Sequence, residues 1–263
     1  AVMPASTSQE KIAQIAFYGG KSHLVQDPTQ IYAESERLAH ESGGHFMDQF
    51  TYAERATDWR ANNNIAESIF QQLRFERYPE PSWLISSPGT GGTTATLGRY
   101  VRYRQHCTRV LCADAERSVF FDYYRSGDAS LRLDCGSRIE GIGRPRVEAS
   151  FLPKVIDAMV KVPDALSLAA MHYLALRLGR RVGGSSGTNL IGALLAAREM
   201  VNAGESVSIV AILCDGGERY ATTYYDQDWL RAQGYDLAGL IDSVTACAER
   251  GEALPEGVLR AGI

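Results

Sequence analysis

Gly89, Thr90, Gly91, Gly92 and Thr93 carry the most specific chemistry legible in this chain of 263 residues. An apolar run, Trp83-Leu84-Ile85, leads into them, and residues 95–105 follow with helical periodicity. Strand, glycine turn and helix in that order make an anion site. The glycines let backbone come close, the first-turn N–H groups point outward, and the helix dipole adds about half a positive charge. No lysine follows the glycines as an ATP-binding loop requires, and their spacing is not the dinucleotide fingerprint, so ATP and NAD are disfavoured. The phosphate of some other cofactor remains, with a purely structural strand-to-helix turn as the alternative.

A second turn, Gly183-Gly184-Ser185-Ser186-Gly187, precedes a helical pattern over residues 189–201. Two glycine-rich helix starts, one without charge and one offering hydroxyls, point to a cofactor held at both ends. A serine hydroxyl hydrogen-bonds an unprotonated ring nitrogen, whereas an aspartate in its place stabilises the protonated form. Asp215 opens the run Asp-Gly-Gly-Glu-Arg-Tyr after the last apolar segment. It is a candidate for tuning the site, with a structural cap as the competing role.

The elements that must position these residues alternate. Residues 1–4 read as the tail of a strand, which implies sequence missing upstream. Thr7 and Glu10 signal a helix by a capping-box pattern, 23–25 a strand, and Asp27-Pro28 a helix to about Glu41. A further strand is expected at 45–47, a polar stretch at 49–64, a helix at 65–73, and strands at 83–86 and 109–113. Residues 114–153 look irregular and loop-like. A strand at 158–162, a helix at 165–178 capped by Asp164, and a buried strand at 207–214 complete the pattern. Helices on both faces of a mostly parallel sheet assemble this order economically.

Bulk properties narrow the function. A formal charge of −4 without a basic stripe argues against nucleic acid and against an anionic membrane. No apolar run approaches the roughly 18 residues of a membrane span, and the start lacks a signal pattern. Five cysteines with no CxxC pair argue against a disulfide framework and a zinc site. Reduced thiols in a cytoplasmic protein are the expectation, with Cys112 and Cys214 as small buried hydrophobes inside strands.

With those motifs in place, the chain resembles the fold-type II pyridoxal-phosphate enzymes of the cysteine synthase and cystathionine β-synthase family, from its first strand to Glu218-Arg219-Tyr220 at least. Gly89 to Thr93 match that family's phosphate loop residue for residue, and Gly183 to Gly187 match the turn whose first serine, here Ser185, meets the pyridine nitrogen. The resemblance places Gln49, of the Gln49-Phe50 pair, at the substrate carboxylate, and Gly141, Ile142 and Gly143 in a loop over the active site. The runs 48–60 and 137–145 are most similar to bacterial cysteine desulfhydrases of the group. In them, counterparts of Arg138 and Arg144 are candidates for substrate contact, with solvated or ion-paired arginines as the plainer reading. The implied architecture is α/β and tryptophan synthase β-like, with two αβα domains around parallel sheets and the N-terminal part missing from this chain. Residues 1–52 would be the remainder of a small mobile domain and 53–263 the large cofactor-binding domain.

The implied cofactor is pyridoxal 5'-phosphate, the implied substrate a small amino acid, and the implied assembly a homodimer. Relatives hold the cofactor as an imine on a lysine near the chain start, followed by a carboxylate-gripping loop; neither motif is present. Lys11, Lys21, Lys154 and Lys161 are the only lysines, and none has a matching context, so no catalytic residue is assigned and the amine is expected upstream. The expected reaction is β-elimination of L-cysteine to sulfide, pyruvate and ammonia. The alternatives are O-acetylserine sulfhydrylation and a lysine-free fragment that binds the cofactor without turnover. A nucleotide-binding regulator ranks last.

Overall fold

The computed structural model describes residues 1–7, 9–27, 30–60 and 63–262, leaving aside the side chain of Glu10. Two compact units divide after Gln49: Ala1–Gln49 and Phe50–Ile263.

In the first unit, β1 (Val2–Pro4) pairs in parallel with β2 (His23–Val25), joined through α1 (Gln9–Phe17). α2 (Ile31–Ser42) ends at Gly43 in the left-handed conformation, the C-cap that a glycine stop predicts. His23 reaches Glu34 at 2.7 Å, which ties β2 to α2. The expected helix opening at Pro28 lies outside the described residues, as does the carboxylate of the Thr7 and Glu10 capping box. The expected strand at 45–47 does not form. These residues follow two glycines, and no neighbouring strand pairs with them among the described residues.

α3 (Gln49–Tyr52) starts on the last residue of the first unit; the second unit continues through a 3-10 turn (Ala53–Arg55) and α4 (Ile65–Leu73), capped by Asn64, whose side chain accepts from the Glu67 N–H at 2.9 Å. Next come β3 (Trp83–Ser86), α5 (Gly92–Arg104), β4 (Arg109–Ala115), α6 (Phe120–Ser126), β5 (Ala158–Val162), α7 (Asp164–Leu178), α8 (Gly184–Asn202) and β6 (Ile209–Ala211). α9 (Gln227–Ala232), α10 (Ala238–Arg250) and β7 (Leu259–Ala261) close the order. Among the described residues the sheet runs β6-β3-β4-β5-β7, parallel except for β7, which pairs antiparallel with β5.

Alternation along the strands decides the layers. Trp83 and Ile85 of β3, Leu111 and Ala113 of β4, and Val160 of β5 pack with Leu166, Ile191 and Val244 of α7, α8 and α10. The intervening Leu84 and Val110 turn to the other face, against Ala66, Leu97 and Tyr100 of α4 and α5. Cys112 and Met159 meet Phe120, Phe121 and Phe151 on that second side.

Several expectations need correction. The strand expected over 207–214 shrinks to Ile209–Ala211 and is only half-buried, because it sits at the sheet edge, paired on one side alone. Cys214 therefore lies beyond the strand rather than inside it, and keeps solvent access. α7 begins at Asp164 itself, and the cap comes from elsewhere: Glu116 Oε2 accepts the Asp164 N–H at 3.0 Å. α8 starts at Gly184, so the glycine and serine turn is the helix's own first turn. The stretch expected to be irregular contains α6, whose amide at Phe121 donates to the buried Asp114 carboxylate at 2.9 Å.

Burial raises the Asp114 carboxyl to a pKa of about 7, against the hydrogen bonds of Ser118 and the Phe121 N–H. An unfolded aspartate titrates near 3.9. The folded state thus binds the extra proton, and this contribution to stability is complete below pH ~4 and lost as pH rises through ~7. Asp114→Asn does not titrate there, so wild-type stability, followed by urea unfolding, should fall relative to the variant between pH 4 and 8; a constant difference contradicts the assignment.

Candidate functional site

β3 is where the strand order reverses: its crossover through α5 leads to β4 on one side, while β6 adds on the other. In an open parallel sheet the crevice beyond the carboxyl ends of such strands is where ligands bind. The Ile212 N–H donates to the Ile85 carbonyl at 3.1 Å, so the loops leaving β3 and β6 emerge side by side. One is the glycine loop, the other begins with Cys214 and Asp215.

Backbone holds the glycine loop from three directions. A β-carbon on Gly89 would lie 2.4 Å from the Gly141 carbonyl oxygen, and one on Gly92 would lie 2.9 Å from that of Ala53. Gly91 has φ +94°, and a β-carbon there would come within 2.8 Å of Phe151 Cα and 2.9 Å of the Ser150 carbonyl oxygen. Positive φ and lack of room both require glycine at that position. The Ser150 hydroxyl donates to the Thr90 carbonyl and also reaches the Phe50 carbonyl. Thr94, inside α5, shares a hydrogen bond of 3.0 Å with Ser86.

α5 begins with Gly91 as N-cap, no side chain caps it, and its first turn holds no acidic residue. Among the described residues no protein acceptor takes the N–H groups of Gly91, Gly92 or Thr93. Unpaired donors at the positive end of a 13-residue helix suit a dianion such as a phosphate ester.

Residues 141–143 lie against this loop. The Gly143 N–H donates to the Pro88 carbonyl at 2.8 Å, Gly141 faces Gly89, and Ile142 is buried with Ile139. The second turn is fixed by the β6 loop. The Gly183 N–H donates to the Asp215 carbonyl at 3.0 Å, and the Cys214 N–H donates to Ser186 Oγ at 3.1 Å. Asn189 Nδ2 donates to the Ile212 carbonyl at 2.8 Å and approaches Cys214 Sγ at 3.7 Å. Asp215 spends its carboxylate on Tyr220, whose hydroxyl donates to Oδ2 at 2.7 Å, with Arg219 at 3.9 Å. Burial first, and the hydrogen bond to Asp215 second, push the Tyr220 phenol upward, so it stays a donor.

Cys214 is where the two turns meet. Protein atoms crowd its thiol although the residue is open to solvent along one side, and burial raises its pKa against hydrogen bonding by Ser185, then Ser87. Ser87, two residues before Gly89, and Ser185, at the start of α8, thus flank one sulfur. Asn189 Oδ1 is buried with no hydrogen-bond partner, and Ser87 Oγ is buried with the Cys214 sulfur beside it. An unsatisfied polar atom beside one turn and free amides at the other fit a ligand with a polar ring at one end and an anionic group at the other.

The structure therefore brings together Gly89, Thr90, Gly91, Gly92, Thr93, Gly141, Ile142, Gly143, Ser185 and Asp215 around the ends of β3 and β6. Gln49 is the first residue of α3 and belongs to the Ala1–Gln49 unit. Arg144 is paired with Glu148 at 3.0 Å and lies over the Phe50 ring, while Arg138 reaches Gln233 and Tyr235. Ser87, Ser150, Asn189 and Cys214 were not among the sequence candidates. Ser87 adjoins the glycine motif and was findable; the others become neighbours of the site only through folding.

Residues 1–215 match the family model of pyridoxal-phosphate dependent enzymes. Over 91% of its length the chain is 58% identical to L-cysteine desulfhydrase Cds1 of Mycobacterium tuberculosis, spanning 65% of that protein. It is 28% identical to the putative pyridoxal-phosphate dependent protein F13B12.4 of Caenorhabditis elegans, over 92% of this chain and 61% of the other. It is 27% identical to cysteine synthase 2 of Schizosaccharomyces pombe, over 87% and 62%. The chain thus spans less than two thirds of the length of each of these relatives.

Gly91→Ala tests the loop geometry. Strained φ and a methyl against backbone should lower unfolding free energy by about 1–3 kcal/mol in urea denaturation; a change below about 0.5 kcal/mol contradicts the packing described.

Proposed function

Because the chain belongs to the family of pyridoxal-phosphate dependent enzymes, we propose that its residues form the cofactor-bearing part of an L-cysteine desulfhydrase, which converts L-cysteine to sulfide, pyruvate and ammonia. The observation that carries this reading is the pair of turns at the ends of β3 and β6, one offering unpaired amides and the other hydroxyls, in a chain 58% identical to a protein named for that activity. Similarity to a cysteine synthase at 27% makes replacement chemistry the second reading.

Bound pyridoxal phosphate supplies an electron sink for the pair left at the substrate's α-carbon, which makes loss of the β-sulfur accessible. The chain's own residues hold and orient. The N–H groups of Gly91, Gly92 and Thr93, with Gly89 and Thr90 shaping the turn, take the phosphate oxygens. Ser185 donates its hydroxyl to the ring nitrogen. A hydroxyl rather than a carboxylate at residue 185 would favour an unprotonated ring nitrogen, and so elimination over transamination. Asp215 holds the β6 loop against Gly183 and so keeps the Ser185 turn in place. Residues 141–143 cover the reacting atoms; the family resemblance assigns Gln49 to the substrate carboxylate.

No lysine of the chain is assigned the role of amine; Lys161, in β5, is engaged by Asp122 at 2.8 Å. Residues 1–52 act as part of a small mobile domain and 53–263 as the large one, in a cytoplasmic homodimer. No helix among the described residues is long and apolar enough to cross a membrane.

The test is product analysis. The full-length enzyme of which these residues form the cofactor-bearing part, loaded with pyridoxal phosphate, should release sulfide and pyruvate in equal amounts from L-cysteine alone. Sulfide consumed with O-acetylserine, and none released from cysteine, contradicts the reading. Ser185→Ala should lower kcat/KM by about tenfold or more, the weight of one hydrogen bond to the ring; an unchanged value removes Ser185 from the site.

A further inference from the structure

Tyr224 and Tyr225 follow one another in the turn after Tyr220, yet their hydroxyls enter two different loops. Tyr224 donates to the Arg138 carbonyl at 2.7 Å and accepts the Glu140 N–H at 2.9 Å. Tyr225 donates to the Val182 carbonyl at 2.8 Å and accepts the Val182 N–H at 2.9 Å. Each phenol thus satisfies one donor and one acceptor of irregular backbone, a task that regular secondary structure would otherwise perform.

The loops concerned are the two that bound the site. Residues 138–140 run directly into 141–143, which pack on Pro88 and Gly89. Val182 adjoins Gly183, where the Ser185 turn begins. The turn bearing the tyrosines is itself fixed. Tyr224 stacks on Tyr220 at 4.7 Å and 17°, and its carbonyl meets His172 Nε2 at 2.8 Å. A carbonyl only accepts, so Nε2 carries the proton, and burial keeps the imidazole neutral by lowering its pKa. The His172 ring in turn meets Tyr225 edge-on at 5.0 Å. Burial pushes the Tyr224 phenol up to about 12 and raises that of Tyr225, so both hydroxyls keep their protons at neutral pH.

We propose that Tyr224 and Tyr225 are positioning residues that act as one spacer, fixing the gap between the 141–143 loop and the Ser185 turn so that both ends of the cofactor are met together. The assignment rests on the pyridoxal-phosphate reading above. A purely structural pair of phenols, one buried and one half-buried, would stabilise each loop separately. A spacer couples them: loosening one side frees the other.

The experiment compares Tyr224→Phe, Tyr225→Phe and the control Thr223→Ala, whose hydroxyl donates to the Tyr220 carbonyl at 3.4 Å. Both phenylalanine variants keep the ring and lose the hydroxyl. In cofactor-free protein, Tyr224→Phe should speed amide hydrogen exchange about tenfold over residues 138–143 and at least about threefold over 182–186. Titration with pyridoxal phosphate should show Kd raised about tenfold in each phenylalanine variant and unchanged in the control. Exchange confined to the loop nearest the substitution overturns the proposal, as does a Kd within about twofold of wild type. If Tyr224→Phe does not fold, Tyr225→Phe gives the same measurement in reverse, with 138–143 as the distant loop. If the wild-type protein takes up no pyridoxal phosphate, the functional reading falls, and spread or confinement of exchange still decides for or against the spacer.

Discussion

Close packing of backbone on backbone around the glycine loop sets the geometry on which the other features depend. Gly89, Gly91 and Gly92 each abut a different segment, at Gly141, at residues 150–151 and at Ala53, with distances that leave no space for a side chain. Three contacts fix the loop more rigidly than a side-chain cap would, because carbonyl oxygens and α-carbons have no rotamers to yield. With the loop so closely packed, the N–H groups of Gly91, Gly92 and Thr93 have no protein acceptor among the described residues. Such preorganised donors bind an anion without the ordering cost that a flexible loop would incur.

The sheet supplies the second anchor. Reversal of strand order at β3 leaves the loop after β6 beside the loop after β3, and Cys214 with Asp215 brings the first turn of α8 to the same crevice. The polar groups there are arranged unequally. Asp215 is satisfied by Tyr220 and by Arg219, so its charge is engaged inside the protein. Asn189 Oδ1 is buried without a hydrogen-bond partner, at a cost of about 1–3 kcal/mol unless a ligand meets it.

Much of this was legible in the sequence where local chemistry dictates structure. Glycines at 89, 91 and 92 announced a tight turn because only glycine fits such backbone, and the apolar runs at 83–86, 109–113 and 158–162 became strands because both faces of the sheet are covered. Elements whose form depends on distant partners were not legible. The apolar run 207–214 reads as a long buried strand, yet only three residues pair, since the edge offers one neighbour. Residues 45–47 have strand-like composition and no strand partner among the described residues. α6 hides in a segment rich in glycine and arginine because its start is fixed by Asp114, several residues upstream. Tyr224 and Tyr225 show no periodicity, and their four hydrogen bonds join segments 40 to 90 residues apart in the chain, a relation that spacing alone does not encode.

The central claim is that one cofactor spans the amide cradle and the serine turn. A crystal structure of the protein with pyridoxal phosphate bound tests it most directly. The account predicts phosphate oxygens within hydrogen-bond distance of the N–H groups of Gly91, Gly92 and Thr93, and the pyridine nitrogen within reach of Ser185 Oγ. A cofactor whose phosphate lies away from residues 89–93, or whose ring nitrogen faces a carboxylate instead of Ser185, would contradict it.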